Sequence, residues 1–237
     1  MSIHLDGTLV ATTMRTPGDD FDLAVGYCHT EGLLAGVLVS RCRYCATGSA
    51  VESGFNAVTV ETGGRAPTPT PRLTPTTSAC GICGSESLQD LQGRLDPLRG
   101  VATYTPEVLA QAVQGVAGMQ PLFATTGGVH AAAAFDLAAS PLVVREDIGR
   151  HNAVDKVVGR LLLDGLLPAH DLGLFVSGRA SFEIVQKAWS AGFAAVVAVS
   201  APSSLAVETA RAAGLTLAGF VRDGKLNVYA PEHLAPD

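Results

Sequence analysis

An α/β fold, with helices layered on a buried sheet, is predicted by the second half of this chain. Three short apolar runs, Leu172–Val176, Ala194–Val199 and Leu215–Phe220, read as strands buried on both faces. They alternate with helical segments at Phe182–Ala191 and from Ser203-Ser204 through Ala213, which is the pattern of layered α/β domains. Each run ends in small or polar residues, and in open α/β sheets those carboxyl ends are where ligands bind.

The remaining elements follow in chain order. Residues 3–13 alternate weakly and carry Thr8, Val10, Thr12 and Thr13, so a strand is expected. Thr16-Pro17-Gly18-Asp19-Asp20 is a turn into a helix from about Phe21 to Leu34, with acidic residues in its first turn. Residues 55–61 read as a strand, and prolines at 67, 69, 71 and 75 then interrupt regular structure. A helix is expected over Ser85–Leu95 and another from Pro106, capped by Thr105. Gly127-Gly128, followed by His130 and an alanine run, suggests a loop feeding a helix. Leu142–Val144 is a strand running into Arg145-Glu146-Asp147, and His151–Leu163 is a helix. Leu226–Tyr229 is a last strand, joined to its predecessor by an Asp223-Gly224 turn.

The chain has 237 residues, 47% hydrophobic and 16% charged, enough to bury a sizeable core. A net charge of −6 argues against a nucleic-acid coat. Met1–Gly7 has no basic region followed by an apolar run, and no apolar stretch reaches the ~18 residues of a membrane span. A cytoplasmic protein without membrane or nucleic-acid partners is expected. Five cysteines in a reducing compartment read as metal-binding, catalytic or incidental.

The most chemical of these is the pair in Ser78-Ala79-Cys80-Gly81-Ile82-Cys83-Gly84. Two thiols three residues apart serve a metal, a disulfide or a transferred sulfur atom, and only the thiolate does any of these. The Pro/Thr-rich stretch upstream argues for a mobile loop. A second pair, Cys42 and Cys45, would complete four zinc ligands with Cys80 and Cys83, although the separation is wider than in a zinc ribbon. The alternative is that Cys42 and Cys45 are incidental small hydrophobes. Cys28 falls on the apolar face of its helix and is expected in the core.

Polar residues gather at two strand ends and beside the Gly127-Gly128 turn. Arg145–Lys156 crowds Asp, Arg, His, Asn and Lys between an apolar strand and an apolar helix. Its arginines suit phosphate and its Asp or Asn a base edge. Asp155 and Lys156 equally suit pairing on a helix surface. Ser177-Gly178-Arg179-Ala180-Ser181 offers amides, two hydroxyls and a guanidinium, which suits a phosphate, and His130 either packs under the sheet or serves an anion site.

Thr16–Asp20, Thr30-Glu31-Gly32, the Ser78–Gly84 segment, Thr126–His130, the Arg145–Lys156 block, Ser177-Gly178-Arg179 and Ser200-Ala201-Pro202 occur in that order. Together they resemble the FdhD/NarQ family of sulfur carriers required for formate dehydrogenase activity. The resemblance implies a cytidine-deaminase-like three-layer α/β/α sheet with a smaller N-terminal α+β region. On this chain that gives an N-terminal region at 1–65, a flexible loop at 66–84 carrying the cysteine pair, and the α/β domain at 85–237. It further implies a cytoplasmic homodimer and a sulfurtransferase. Persulfide sulfur would pass from a cysteine desulfurase to Cys80 and on to Mo-bis(molybdopterin guanine dinucleotide), bound as acceptor substrate, for insertion into formate dehydrogenase. Cys83 matches the second cysteine of the pair. The cofactor-binding segment maps onto Phe220, Val221, Arg222, Asp223, Gly224 and Lys225. No resident metal or permanent cofactor is implied. Deamination is not, because a zinc deaminase needs His-x-Glu and Pro-Cys-x-x-Cys. Here His130 precedes two alanines and Cys80 follows Ala79. The Cys42/Cys45 pair departs from the family pattern. A zinc-stabilised nucleotide-binding module and a dithiol oxidoreductase remain as alternatives.

Overall fold

The computed structural model describes residues 1–45, 49–69 and 88–231. Two sheets organise them. The first joins β1 (Ser2–Leu5), β2 (Thr8–Thr12), β3 (Arg41–Arg43) and β4 (Ala57–Glu61) in the order β2-β1-β4-β3. The second joins β5 (His130–Phe135), β6 (Pro141–Asp147), β7 (Gly173–Val176), β8 (Ala195–Ala198), β9 (Thr216–Arg222) and β10 (Lys225–Ala230) in the order β10-β9-β8-β7-β5-β6.

Strands β7, β8 and β9 run parallel, while β5 and β10 run against them and β6 runs against β5. One edge of the large sheet therefore collects the carboxyl ends of β6, β7, β8 and β9 and the amino end of β5. Side-chain alternation splits the core across the sheet. Ala132, Ala134, Leu174, Val176, Val196 and Ala198 face α5 (Arg150–Leu163), α6 (Phe182–Ala191) and α7 (Ser204–Ala213). Ala131, Ala133, Phe135, Phe175, Ala195 and Val197 face α3 (Pro106–Ala117). The expected α/β class is present, with helices on both faces of a mixed sheet. α2 (Leu88–Arg94) lays Leu91 against the α5–α7 layer.

Several elements differ from the sequence reading. Residues 3–13 form a hairpin and not one strand, because Asp6 and Gly7 turn with φ of 46° and 87°. The Asp-Gly dipeptide is itself a hairpin signal. Gly127-Gly128 does not feed a helix. It ends α4 (Pro121–Thr126), with Gly127 at φ 62° as its left-handed cap, and leads into strand β5. The alanine run favours a helix by only a few tenths of a kcal/mol per residue over most residues. Strand β5 is hydrogen-bonded on both sides, to β6 and β7, and buried on both faces, where only small side chains fit beneath α5. Asp155 and Lys156 are not on the helix surface, since both are 2% exposed or less. As expected, Thr105 caps α3 by accepting from Val108 N, and Cys28 is fully buried. Among the described residues no helix is long and apolar enough to cross a membrane.

The N-terminal region is attached through α1 (Asp20–Thr30), which packs along α5 at close range. A methyl group placed on Gly26 would collide with the Asp155 carbonyl, and one on Gly159 with the Asp22 carbonyl. Backbone meets backbone here, so neither helix can yield locally. The substitutions Gly26→Ala and Gly159→Ala should each lower stability by about 1–3 kcal/mol or more in urea unfolding. Gly93→Ala lies on exposed α2 with open space around it. It should be neutral or raise stability by up to about 1 kcal/mol, and equal losses at all three positions would contradict the close-crossing account.

Candidate functional site at the carboxyl edge of the large sheet

Asp147, the last residue of β6, organises this edge. Its buried carboxylate accepts from Gly149 N at 2.9 Å, Asn152 Nδ2 at 3.0 Å and Thr16 N at 3.0 Å. It also pairs with buried Lys156 Nζ at 2.9 Å. Lys156 donates in addition to the Thr16 and Glu146 carbonyls, at 3.0 and 3.1 Å. Asn152 Nδ2 donates to Met14 O at 2.7 Å, and Ile148 N donates to Thr16 Oγ1 at 2.9 Å. The segment before α1, the end of β6 and the start of α5 are thereby bound into one polar network.

Glu146, beside it, holds α4 in place. Its two carboxylate oxygens accept the amides of Leu122 and Phe123 at 3.0 and 2.8 Å, two donors that a helix cannot satisfy internally. α4 in turn walls a cleft of about 480 Å³ lined by Val113, Phe123, Val129, His130, Ile148, Phe175, Ser177 and Val199. Phe123, Ile148 and Val199 are exposed at its mouth. A second cleft of about 480 Å³ opens between the starts of α6 and α7, lined by Arg150, Arg179, Ser181, Phe182, Glu183, Pro202 and Ser203.

Gly178 separates the two clefts. A Cβ there would stand 3.4 Å from both His130 Cε1 and Arg150 Cδ. His130 Nδ1 lies 3.3 Å from Ser177 Oγ, which also accepts the Ala131 amide at 2.9 Å. His151 Nε2 lies 3.3 Å from Ser181 Oγ and 4.0 Å from Glu183 Oε2. Burial and then Arg150 hold the His130 pKa below the usual imidazole value. Burial, with Arg150 and Lys187, takes His151 down to about 3. Both rings are therefore neutral near pH 7. Arg150 is itself depressed, by burial and then by Arg179.

The sequence-predicted residues distribute as follows. Phe220 lies at the same edge with a positive φ of 55° and a half-exposed ring, its amide donating to Ser200 O at 3.2 Å. Val221 turns inward, while Arg222, Asp223, Gly224 and Lys225 form an exposed hairpin tip with Asp223 and Gly224 at φ 51° and 75°. Cys80 and Cys83 lie outside the described residues. Cys42 packs against the small sheet, and burial raises its thiol to about 11, while burial raises Cys28 further still. Neither is a thiolate near neutral pH. Cys45 Sγ accepts from Arg43 Nη1 at 2.6 Å. Among the described residues no three His, Cys, Asp or Glu side chains group to hold a metal. The clefts went unseen in the sequence, because Phe123, Val129, Ile148 and Val199 come from four separate segments and share no local pattern.

A family model, the FdhD/NarQ family, matches residues 1–235. The chain belongs to the FdhD/NarQ family. Relatives named sulfur carrier protein FdhD agree with it along almost its whole length. The one from Nocardia farcinica is 46% identical over 98% of this chain and 85% of its own. The one from Streptomyces coelicolor is 47% identical over 97% of this chain and 84% of its own. A crystal structure of a putative formate dehydrogenase accessory protein from Desulfotalea psychrophila superposes with a TM-score of 0.74 at 23% identity, covering 98% of this chain and 86% of that one. That likeness establishes a shared fold.

The buried histidine makes stability pH-dependent. His151 titrates near its ordinary value when unfolded and near 3 when folded. The unfolded state thus binds more protons between those values, and stability falls as pH drops from about 6.5 towards 3. Each pKa unit corresponds to about 1.4 kcal/mol. His151→Gln should flatten the decline in melting temperature between pH 6.5 and 4.5, and an unchanged slope would show that other groups dominate it.

Proposed function

We propose that this chain is a cytoplasmic sulfurtransferase of the persulfide-relay type, serving formate dehydrogenase. The observation that carries the reading is agreement along nearly the whole chain with proteins named sulfur carriers, in a sequence that holds a glycine-flanked Cys80/Cys83 pair. In the loading step the Cys80 thiolate attacks the outer sulfur of a cysteine desulfurase persulfide. The S–S bond breaks, the desulfurase cysteine leaves as a thiolate, and Cys80 carries the persulfide. No electrons are gained or lost overall. The acceptor is Mo-bis(molybdopterin guanine dinucleotide), bound as substrate and then passed to formate dehydrogenase.

The carboxyl edge of the large sheet suits such an acceptor. Guanine dinucleotide groups bring phosphates and planar bases, and this edge offers Arg150 and Arg179 beside an apolar cleft. We assign Phe220–Lys225 to cofactor contact, with the exposed Phe220 ring and the Arg222 and Lys225 cations as its contacting groups. A homodimer would present two such edges to the two dinucleotide arms.

Incubation with a cysteine desulfurase and cysteine should add about 32 Da, one sulfur atom, to the intact protein. Cys80→Ser should abolish the gain and Cys83→Ser should retain it. A wild-type protein that acquires no Cys80-dependent sulfur would remove the proposal. Equal loss of activity with both variants, together with a cycling disulfide, would favour a dithiol oxidoreductase instead.

A further inference from the structure

Helix α4 is held to the fold in an unusual way. It has six residues, and every one from Pro121 to Thr126 is exposed. A helix in a folded protein normally owes its stability to an apolar face packed on the core, and a single short helix gains little from its own backbone bonds. Those bonds are here almost wholly internal. Ala124 N donates to Gln120 O at 2.9 Å, and Gly127 N to Phe123 O at 2.7 Å. The Thr125 and Thr126 hydroxyls donate to Pro121 O and Leu122 O at 2.9 and 2.7 Å, and Gly128 N donates to Thr126 Oγ1 at 3.2 Å. Among the described residues, the hydrogen bonds from α4 to the rest of the fold are the two that Glu146 accepts from Leu122 N and Phe123 N. The helix is a self-contained unit fastened by one carboxylate.

Space lies on both sides of that unit. Phe123 lines the apolar cleft of about 480 Å³. Pro121 and Leu122 line a separate cavity of about 260 Å³, with Pro17, Val144 and Arg145. Leu122 and Phe123 are 41% and 48% exposed, so a rotation of α4 buries one apolar side chain as it uncovers the other. The ends of the helix suit such a movement. Gly127 has a φ of 62°, which glycine adopts at little cost, and Gly128 follows it without a side chain. Gln120, at the other end, has φ −119° and ψ 69°, neither helix nor strand. Hinges are a few residues of this kind at the ends of an element. The latch, in contrast, is fixed. Glu146 is buried on β6, and its own carbonyl accepts from Lys156 Nζ at 3.1 Å.

We propose that α4 is a hinged flap over the apolar cleft, that Glu146 is the latch holding it shut, and that entry to the cleft runs through its opening. Glu146 is thus a positioning residue, acting through α4. What enters rests on the reading of this edge as the acceptor's site. The flap and its latch rest on the geometry alone.

Native-state hydrogen–deuterium exchange of the full chain reads the opening. Glu146→Gln puts an amide nitrogen, which accepts no hydrogen bond, where one carboxylate oxygen stood. Exchange over residues 122–127 should quicken about ten- to a hundredfold, the scale of one charge-assisted hydrogen bond, while β5 and α5 keep their rates. Gly128→Ala is sterically admitted, since the nearest atoms lie 3.8 Å from a Cβ and its φ is not positive. It stiffens the hinge and should slow the same exchange about two- to fivefold. Stopped-flow association of GDP carrying a fluorescent group on its ribose, as a fragment of the acceptor, should quicken in the first variant and slow in the second. A residue that only shapes the bound site changes dissociation and leaves association alone. Exchange unaltered by both variants, or quickened equally in β5 and α5, would overturn the flap. Altered exchange with wild-type association rates would overturn its control of entry. Wild type that binds no GDP would remove that control together with the acceptor reading, and exchange alone then decides the flap and its latch.

Discussion

The buried pairing of Asp147 with Lys156 is the constraint on which the functional edge depends. Both side chains are out of solvent, so each has lost its hydration. Such a pair is tolerable only when every remaining lone pair and proton is used, and here they are. Asp147 gathers three N–H donors besides the ammonium, and Lys156 spends its other protons on two backbone carbonyls. Removing one partner would strand the other and cost about 3–5 kcal/mol, a large part of a domain's stability. The network also spans about 140 residues of sequence, joining Thr16 to the β6–α5 junction. A single arrangement of chain segments satisfies it, which fixes where α5 begins.

That fixation has an electrostatic consequence. Six polar side chains of the Arg145–Lys156 block are absorbed by structure: Arg145 by Asp22, Glu146 by α4, Asp147 and Lys156 by each other, Asn152 by Met14 O, and Asp155 by Lys187. Arg150 is held by the same helix start, yet among the described residues its buried Nε has no hydrogen-bond partner. Burial and Arg179 work against its charge, and the Glu183 carboxylate in the same cleft offsets them only in part. The two imidazoles beside it follow suit, kept uncharged by burial and by Arg150 itself. Site chemistry at this edge is written in the residue that the network omits.

The layering and the strand-end location of polar residues were legible in the sequence, because buried parallel strands and helix caps are local patterns. Phe182–Ala191 was read with the bounds observed, and Thr105 capped α3 as its Pro106 neighbour indicated. The β5 strand was misread because its alanines carry a weak helix preference that two-sided pairing overrides. The placement of Asp155 and Lys156 stayed open in the sequence for a related reason. Charged residues on a helix are normally solvated, and nothing in α5 alone tells that Lys187 and Asp147 come to meet them from other elements. The separation of paired from unpaired arginines is likewise a tertiary fact.

The N-terminal region acquires a role from the same argument. Lys187 on α6 donates to Asp155 on α5 at 2.9 Å, and to Thr30 and Glu31 at the end of α1, at 2.9 and 3.1 Å. Burial raises the Asp155 carboxyl to about 6 even though Lys187 pulls the other way. Burial works against the Lys187 ammonium, but Asp155 and Glu31 outweigh it and raise its pKa overall. Lys187 thus stays charged, and its field reaches His151 and helps to keep that ring neutral. α5 and α6 carry this junction along their lengths and carry Arg150, His151 and Ser181 at their starts. The small sheet and α1 are therefore more than an appendage: by clamping these two helices together they set the spacing of the arginine-lined cleft at the helices' opening turns.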